Sequence, residues 1–142
     1  MKAYLKNEIS GTDFIELQKG KYNNLHFKED SIYFCEEDFI AFELIFSKFN
    51  SDYRPFKYSN FNKSMIAMIL EELGIFLNKL HETDDIINVL KDMKYNIDDL
   101  SSLDIHEISS LNIDELSSTV KTLSYWLNEV LQKERFFSVL GL

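Results

Sequence analysis

Four segments of the chain repeat their apolar residues at the spacing of an α-helix, and this periodicity constrains the fold more than any other feature. In the longest segment, 113–131, apolar residues recur at alternating intervals of three and four: Ile113, Leu116, Val120, Leu123, Leu127 and Val130. Asn112 is a natural N-cap for it, and Glu115 follows three residues later, as in a capping box. Because a helix of this length needs a buried face for stability, we expect each stripe to face a core.

The same spacing predicts three more helices, at 36–49, 64–80 and 84–94. The first carries an aromatic stripe, which consists of Phe39, Phe42, Phe46 and Phe49. Its first turn holds three acids, Glu36, Glu37 and Asp38, at the end where the helix dipole favours negative charge. Gly74 in the second helix costs about 1 kcal/mol relative to alanine, which suggests a closely packed neighbour. Thr83 is the expected N-cap of the third.

Short runs of apolar and aromatic residues indicate strands near 2–9, 25–27, 31–35 and 135–140. The second and third of these resemble a hairpin, and 14–17 is a candidate for a further short strand. We therefore predict one domain, residues 1–142, with an α+β fold. Four helices form a bundle-like layer on a small antiparallel sheet that includes the N- and C-terminal strands, and these terminal strands are expected to pair.

One motif occurs three times with a period of eight residues, beginning at Ile97, Ile105 and Ile113. Two helical turns take about 7.2 residues, so apolar positions with this period would drift around a continuous helix. We therefore expect short capped turns over 96–111, with only the third copy inside the last helix. The repeat forms either a local loop or an acidic ridge that faces a partner.

The chain is acidic, and its charge is concentrated in one stretch. Lys and Arg number 15 and Asp and Glu 24, so the net charge is −9. Residues 81–118 contain ten acids but only Lys91 and Lys94, which gives net −8. This charge disfavours binding to nucleic acid or an anionic membrane and favours a basic protein partner. The alternative is that the acids are only solvated surface.

Two sets of residues are candidates for contact with a partner. The first set comprises eight of the ten acids of 82–115: Asp84, Asp85, Asp98, Asp99, Asp104, Glu107, Asp114 and Glu115. The second is an aromatic loop, 53–61, whose candidate anchors are Tyr53, Phe56 and Tyr58. If the acids share one face, its field is strong and of a single sign.

Catalytic and metal-binding motifs are missing from the sequence, so we expect no enzyme activity, no catalytic residues, no metal site and no cofactor. The three His are far apart, there is no glycine-rich phosphate loop, and the lone thiol, Cys35, is expected to be buried and inert. An enzyme whose carboxylates meet only in space, such as Asp84 and Glu107, is the weaker alternative.

No run approaches the roughly 18 apolar residues of a membrane span, and the N-terminus lacks a signal-peptide core, so we expect a cytosolic protein.

Three strings of the sequence resemble a known group of proteins: SIYFCEEDF at 31–39, LSYWLNEVL at 123–131 and FSVLGL at 137–142. Their order and the chain length resemble the small acidic immunity proteins of bacterial contact-dependent growth inhibition and related polymorphic toxin systems. The resemblance implies a cytoplasmic, non-enzymatic antitoxin that binds the C-terminal toxin domain of a cognate effector and blocks its active site. Many such toxins are nucleases with basic clefts. The alternative function is a small acidic adaptor or regulatory subunit of an unrelated complex.

Overall fold

The computed structural model describes residues 2–11, 13–54 and 57–141. Within these residues the chain forms four strands, five α-helices and two short 3₁₀ turns. In chain order they are the 3₁₀ turn Lys6–Glu8, β1 Phe14–Lys19, β2 Ile32–Cys35, α1 Glu36–Phe49, β3 Tyr58–Asn62, α2 Lys63–Leu80, α3 Ile86–Asp92, the 3₁₀ turn Ile97–Asp99, α4 Ser102–Ser109, α5 Ile113–Lys133 and β4 Phe136–Leu140.

The strands form one antiparallel sheet in the order β2-β1-β4-β3, and the helices pack on one of its faces. Alternate residues of each strand point to that face, so Leu17 lies opposite Val139 and Phe61 opposite Phe137. The Phe61 and Phe137 rings stack with centroids 4.6 Å apart. The predicted α+β fold is confirmed, and the first and last strands of the sheet are neighbours.

The first strand is the further candidate at 14–17, which extends to Lys19 as β1, and not the segment 2–9. The segment 2–9 contains a 3₁₀ turn and only an isolated bridge between Tyr4 and Tyr33. The segment 25–27 forms no strand, so the expected hairpin with 31–35 is wrong; β2 pairs with β1 instead. The alternating pattern of 2–9 is too weak to bury a face, since Leu5 is 55% exposed.

The aromatic loop predicted at 53–61 ends in an edge strand, β3. Its two inward residues, Ser59 and Phe61, are buried, whereas its outward residues are more polar and conceal the strand pattern. Asn62 ends this strand and caps α2, because its side chain accepts a hydrogen bond from the Met65 amide at 2.9 Å.

The helices follow the predicted stripes closely. In α2 the stripe residues are all at most 1% exposed, and they are Ile66, Ile69, Leu73, Phe76 and Leu80. In α5 the Asn112 side chain accepts a hydrogen bond from the Glu115 amide at 3.0 Å. Two details differ from the prediction. Asp85, rather than Thr83, caps α3, and Gly74 is exposed, with nothing within 4 Å of the position of an added Cβ. The neighbour expected at Gly74 is therefore not found among the described residues.

The three copies of the eight-residue motif adopt three different structures, as expected from their drift. The first forms the 3₁₀ turn Ile97–Asp99, the second lies in α4, and the third begins α5. Ser101 caps α4 by accepting a hydrogen bond from the Asp104 amide at 3.1 Å. Each copy buries an apolar residue, and these are Ile97, Ile108 and Leu116. The motif therefore encodes short capped helical elements that dock on the core.

Candidate functional site

A groove lined by acidic side chains runs between the N-terminal half of α1, helix α4 and the start of α5. It consists of two adjoining depressions of about 390 Å³ each, which share Glu37 and Glu107. No Lys or Arg occurs among the described residues that line it. Its seven carboxylates belong to Glu36, Glu37, Asp38, Glu43, Asp104, Glu107 and Glu115. We call this surface the acidic groove.

The folding of three segments brings these carboxylates together. Helix α1 buries its Phe stripe, which leaves Glu36 and Glu43, seven residues apart, on a face that looks toward α4. Helix α4 is held against α1 by the fully buried Ile108, and its cap places Asp104 in the first turn. The cap of α5 similarly places Glu115 at the other end of the groove.

The acidic groove also contains apolar surface. Ile40 and Leu103 line it between the carboxylates, and Leu103 is 63% exposed. Long basic side chains cover apolar surface with their methylene stems while their charged heads remain in polar surroundings. A groove with apolar side chains flanked by carboxylates therefore fits lysine or arginine better than it fits a small cation.

Burial and the neighbouring carboxylates disfavour the charge of Glu43. Burial, followed by the charges of Asp104 and Glu36, raises the pKa of Glu43 to about 7. The Tyr53 hydroxyl donates a weak hydrogen bond to Glu43 at 3.5 Å, which opposes that shift. Burial and then the charges of Asp38 and Glu37 raise the pKa of the half-buried Cys35, which keeps it a neutral thiol.

The structure brings only some of the predicted acidic residues together. Asp104, Glu107 and Glu115 line the acidic groove. The others lie on exposed turns and helix starts outside it: Asp84, Asp85, Asp98, Asp99 and Asp114. Two of these have local roles, because Asp85 caps α3 and Asp99 accepts a hydrogen bond from the Asn96 side chain at 2.8 Å. The stretch 82–115 is therefore distributed over several surfaces.

The predicted aromatic anchors do not form one surface either. Tyr53 is buried in the core at 6% exposure, so its ring is not offered to a partner. Tyr58 is 57% exposed and packs on Tyr22 with ring centroids 4.6 Å apart. Phe56 lies outside the described residues.

Four acids of the acidic groove were not among the candidates from the sequence, namely Glu36, Glu37, Asp38 and Glu43. The first three were assigned only to the helix dipole, and Glu43 was not singled out. A signal was present, since Glu36 and Glu43 are two helical turns apart on a face that avoids the Phe stripe. That signal did not indicate which other acids α1 would meet.

Other surfaces offer less for recognition of a charged partner. A larger groove of about 540 Å³ lies between α2 and α3, but its charges are mixed, with Lys79, Lys91 and Lys94 beside Glu82 and Asp92. Lys79 and Asp92 already pair with each other.

In the described part of the chain, no group of three or more potential ligand residues could hold a metal ion. None of its helices is long and apolar enough to cross a membrane.

Comparison with known proteins does not identify a relative of this chain: no family model matches it, and no curated protein or solved structure shows a significant similarity.

Proposed function

We propose that the chain is an immunity protein, an antitoxin that binds the C-terminal toxin domain of a cognate bacterial effector in the cytoplasm. The acidic groove carries the proposal. Three helices contribute seven carboxylates to it, with no Lys or Arg among its described lining. The resemblance of 31–39, 123–131 and 137–142 to contact-dependent growth inhibition immunity proteins supports the same function.

In this proposal the carboxylates of the groove contact the basic side chains that line the toxin's active-site cleft. If the toxin is a nuclease, these basic side chains would otherwise bind substrate phosphates, so the bound immunity protein excludes the nucleic acid. Charge at the rim accelerates encounter, and pairs buried in the interface slow dissociation. Leu103 supplies an exposed apolar contact between the charges. The function is binding rather than catalysis and needs no cofactor.

A large secreted effector gene directly upstream of the chain's own gene would support the proposal, and the test uses the C-terminal domain of that effector. We expect a 1:1 complex that abolishes toxicity when the two proteins are expressed together. A groove variant with Glu37→Lys, Asp104→Lys and Glu107→Lys should lower the association rate, most strongly near 0.01 M salt, where the Debye length is roughly 30 Å. Thermal unfolding of the variant establishes that it remains folded.

The matched control carries the same change in charge outside the groove: Asp84→Lys, Asp98→Lys and Asp114→Lys. Each triple variant changes the net charge from −9 by +6, so a difference between them reports position rather than total charge. Equal effects of the two variants on association would show that the groove is only solvated surface. Failure of the wild-type chain to bind or neutralise the toxin domain would contradict the proposal and favour an acidic adaptor.

A further inference from the structure

Glu43 is a half-buried carboxylate of the acidic groove that lacks a strong partner among the described residues. It lines the depression between α1 and α4, beside the apolar side chains of Ile40 and Leu103. In the described part of the chain, the only hydrogen-bond donor to it is the Tyr53 hydroxyl, at 3.5 Å. A carboxylate has two acceptor oxygens, so Glu43 can accept further hydrogen bonds from a molecule that enters the groove.

Two buried carboxylates elsewhere in the fold have the partners that Glu43 lacks. Glu16 accepts four hydrogen bonds, from two main-chain amides and two side-chain hydroxyls. Glu72 pairs with Lys48 and accepts a hydrogen bond from Tyr95 at 2.7 Å. Buried charges are normally paired or hydrogen-bonded in this way. The exception at Glu43 opens onto a groove, where a cationic donor from another molecule can reach it.

The charged groups around Glu43 are acidic. Four acids line its depression, two from α1 and two from α4: Glu36, Glu37, Asp104 and Glu107. His106 lines the adjoining depression, and the Tyr53 hydroxyl meets Glu43 from the segment that follows α1. Burial and then the charges of Asp104 and Glu36 raise the pKa of Glu43 to about 7, so at pH 7 roughly half of the molecules carry a proton on this group.

A cation that enters the depression opposes the effect of these acids on Glu43. A lysine or arginine head beside the carboxylate favours its ionised form, while the methylene stem covers Ile40 and Leu103. Below pH 7 the free groove must lose the proton on Glu43 when the cation binds, and this loss weakens binding. Above pH 7 the carboxylate is already ionised, so the affinity should rise with pH and level off near about pH 8.

We propose that the acidic groove binds a lysine or arginine side chain of its partner in exchange for the proton on Glu43, and that this exchange weakens binding in acid. The proton passes to the solvent, and the cation takes its place beside the carboxylate. The basic side chain belongs to the toxin domain, so the inference rests on the proposed function and adds to it the residue that links binding to pH.

The probe is an N-acetylated hexalysine amide, whose side chains remain charged from pH 5.5 to pH 8. Titration calorimetry of the wild-type chain in about 0.01 M salt should show binding roughly tenfold tighter at pH 8 than at pH 5.5. At pH 7, titrations in phosphate and in Tris buffer, which differ in ionisation enthalpy, should show release of about half a proton per peptide bound.

Glu43→Gln tests whether this residue is the source of the pH dependence. The variant keeps the shape of the side chain but cannot ionise, so its affinity should change less than about threefold between the two pH values, with no proton released. The matched control is Glu107→Gln, which removes a carboxylate from the same depression and leaves Glu43 in place. It should bind more weakly and retain the pH dependence. Because a histidine ordinarily titrates in this pH range, His106→Gln is a second control and should retain the dependence too.

Four outcomes would overturn the inference: no binding of the wild type to hexalysine at pH 8, an affinity that does not change with pH, the same pH dependence in Glu43→Gln, or its loss in His106→Gln. None of them involves the toxin domain. If hexalysine binding depends on Glu43 as expected but the toxin domain does not bind, only the proposed function fails. If the toxin domain binds and the dependence on Glu43 is missing, only this inference fails.

Discussion

Three carboxylates with low or partial exposure have different surroundings, and the differences determine what each contributes. Glu16 is 4% exposed and accepts hydrogen bonds from the Lys28 amide and from the Tyr33 hydroxyl. Glu72 is 7% exposed, pairs with Lys48 and accepts a hydrogen bond from Tyr95 at 2.7 Å. Glu43 faces other acids, with a weak contact from Tyr53. Burial and these neighbouring acids disfavour the charge of Glu43.

Glu43 should therefore make stability fall as pH rises. Its pKa is about 7 in the folded chain and near 4.5 in the unfolded chain, so between these values folding retains a proton that the unfolded chain has released. The penalty develops between pH 4.5 and 7 and is complete above pH 7. We expect Glu43→Gln to raise the free energy of unfolding by on the order of 2 kcal/mol at pH 8 and by little at pH 4. Denaturant unfolding at both pH values measures this; a pH-independent difference would contradict it.

Tyr95 should stabilise the fold through its hydroxyl. It donates to the buried Glu72 carboxylate, and burial followed by Glu72 raises the pKa of Tyr95. Removing the donor leaves part of a buried carboxylate unsatisfied, so Tyr95→Phe should cost about 1–3 kcal/mol of unfolding free energy. Tyr125 is 70% exposed and provides the control, because Tyr125→Phe should change stability little. Equal effects in chemical denaturation would refute this role of the hydroxyl.

At the scale of elements, helices were easier to predict than strands because their apolar residues repeat over several turns. The stripe of α5 spans 113–130 and admits one interpretation, whereas β3 has only five residues. Of its polar members, Asn60 accepts a hydrogen bond from the Tyr22 amide and Asn62 caps α2, and these tertiary roles conceal the alternation. The segment 25–27 resembles a strand in composition, but its main chain is bound by side chains of the sheet rather than by another strand.

Gly74 is a weak position in an otherwise regular helix. It lies in the interior of α2, is exposed, and has open space where a Cβ would stand. Gly74→Ala should therefore raise the unfolding free energy by about 0.5–1 kcal/mol, because alanine loses less backbone entropy on forming a helix. The contrasting variant is Gly20→Ala, which should destabilise since Gly20 has φ of 88°. Calorimetric unfolding measures whether each substitution raises or lowers the unfolding free energy. A Gly74→Ala variant less stable than the wild type would be inconsistent with an open site.

At the scale of the whole molecule, the sequence predicted that the charge of the candidate site is negative, but it predicted only some of the residues that line it. The acids of 82–115 stood out because they are clustered in sequence, yet Asp84 and Asp98 lie on other surfaces. The missing half comes from α1, which is about 60 residues earlier than α4. Its acids meet α4 because α1 buries its Phe stripe and α4 buries Ile108 in the same core. Periodicity shows which face of a helix is buried, but it does not show which helix lies beside it.

The acidic groove should lower the stability of the free protein, and salt should reveal this. Its like charges repel at short range in a chain of net charge −9, so replacing Glu36→Gln, Asp104→Asn and Glu107→Gln together should stabilise the fold. We expect a gain of about 1 kcal/mol near 0.01 M salt. The gain should shrink toward zero at 1 M, where the Debye length falls to about 3 Å.

Neutralising Glu82→Gln, Asp84→Asn and Asp98→Asn outside the groove gives the same net charge and should stabilise less. Denaturant unfolding of both variants at the two salt concentrations separates local repulsion from total charge. A groove variant no more stable than this control would show that the seven carboxylates are too well solvated to repel one another. If the groove variant is more stable and also associates more slowly with the proposed toxin partner, the same charges oppose folding and favour binding. That combination is expected of a surface kept acidic for a partner rather than for solubility. Solubility depends on the net charge of the whole molecule, and it does not require the charges to be clustered in one groove.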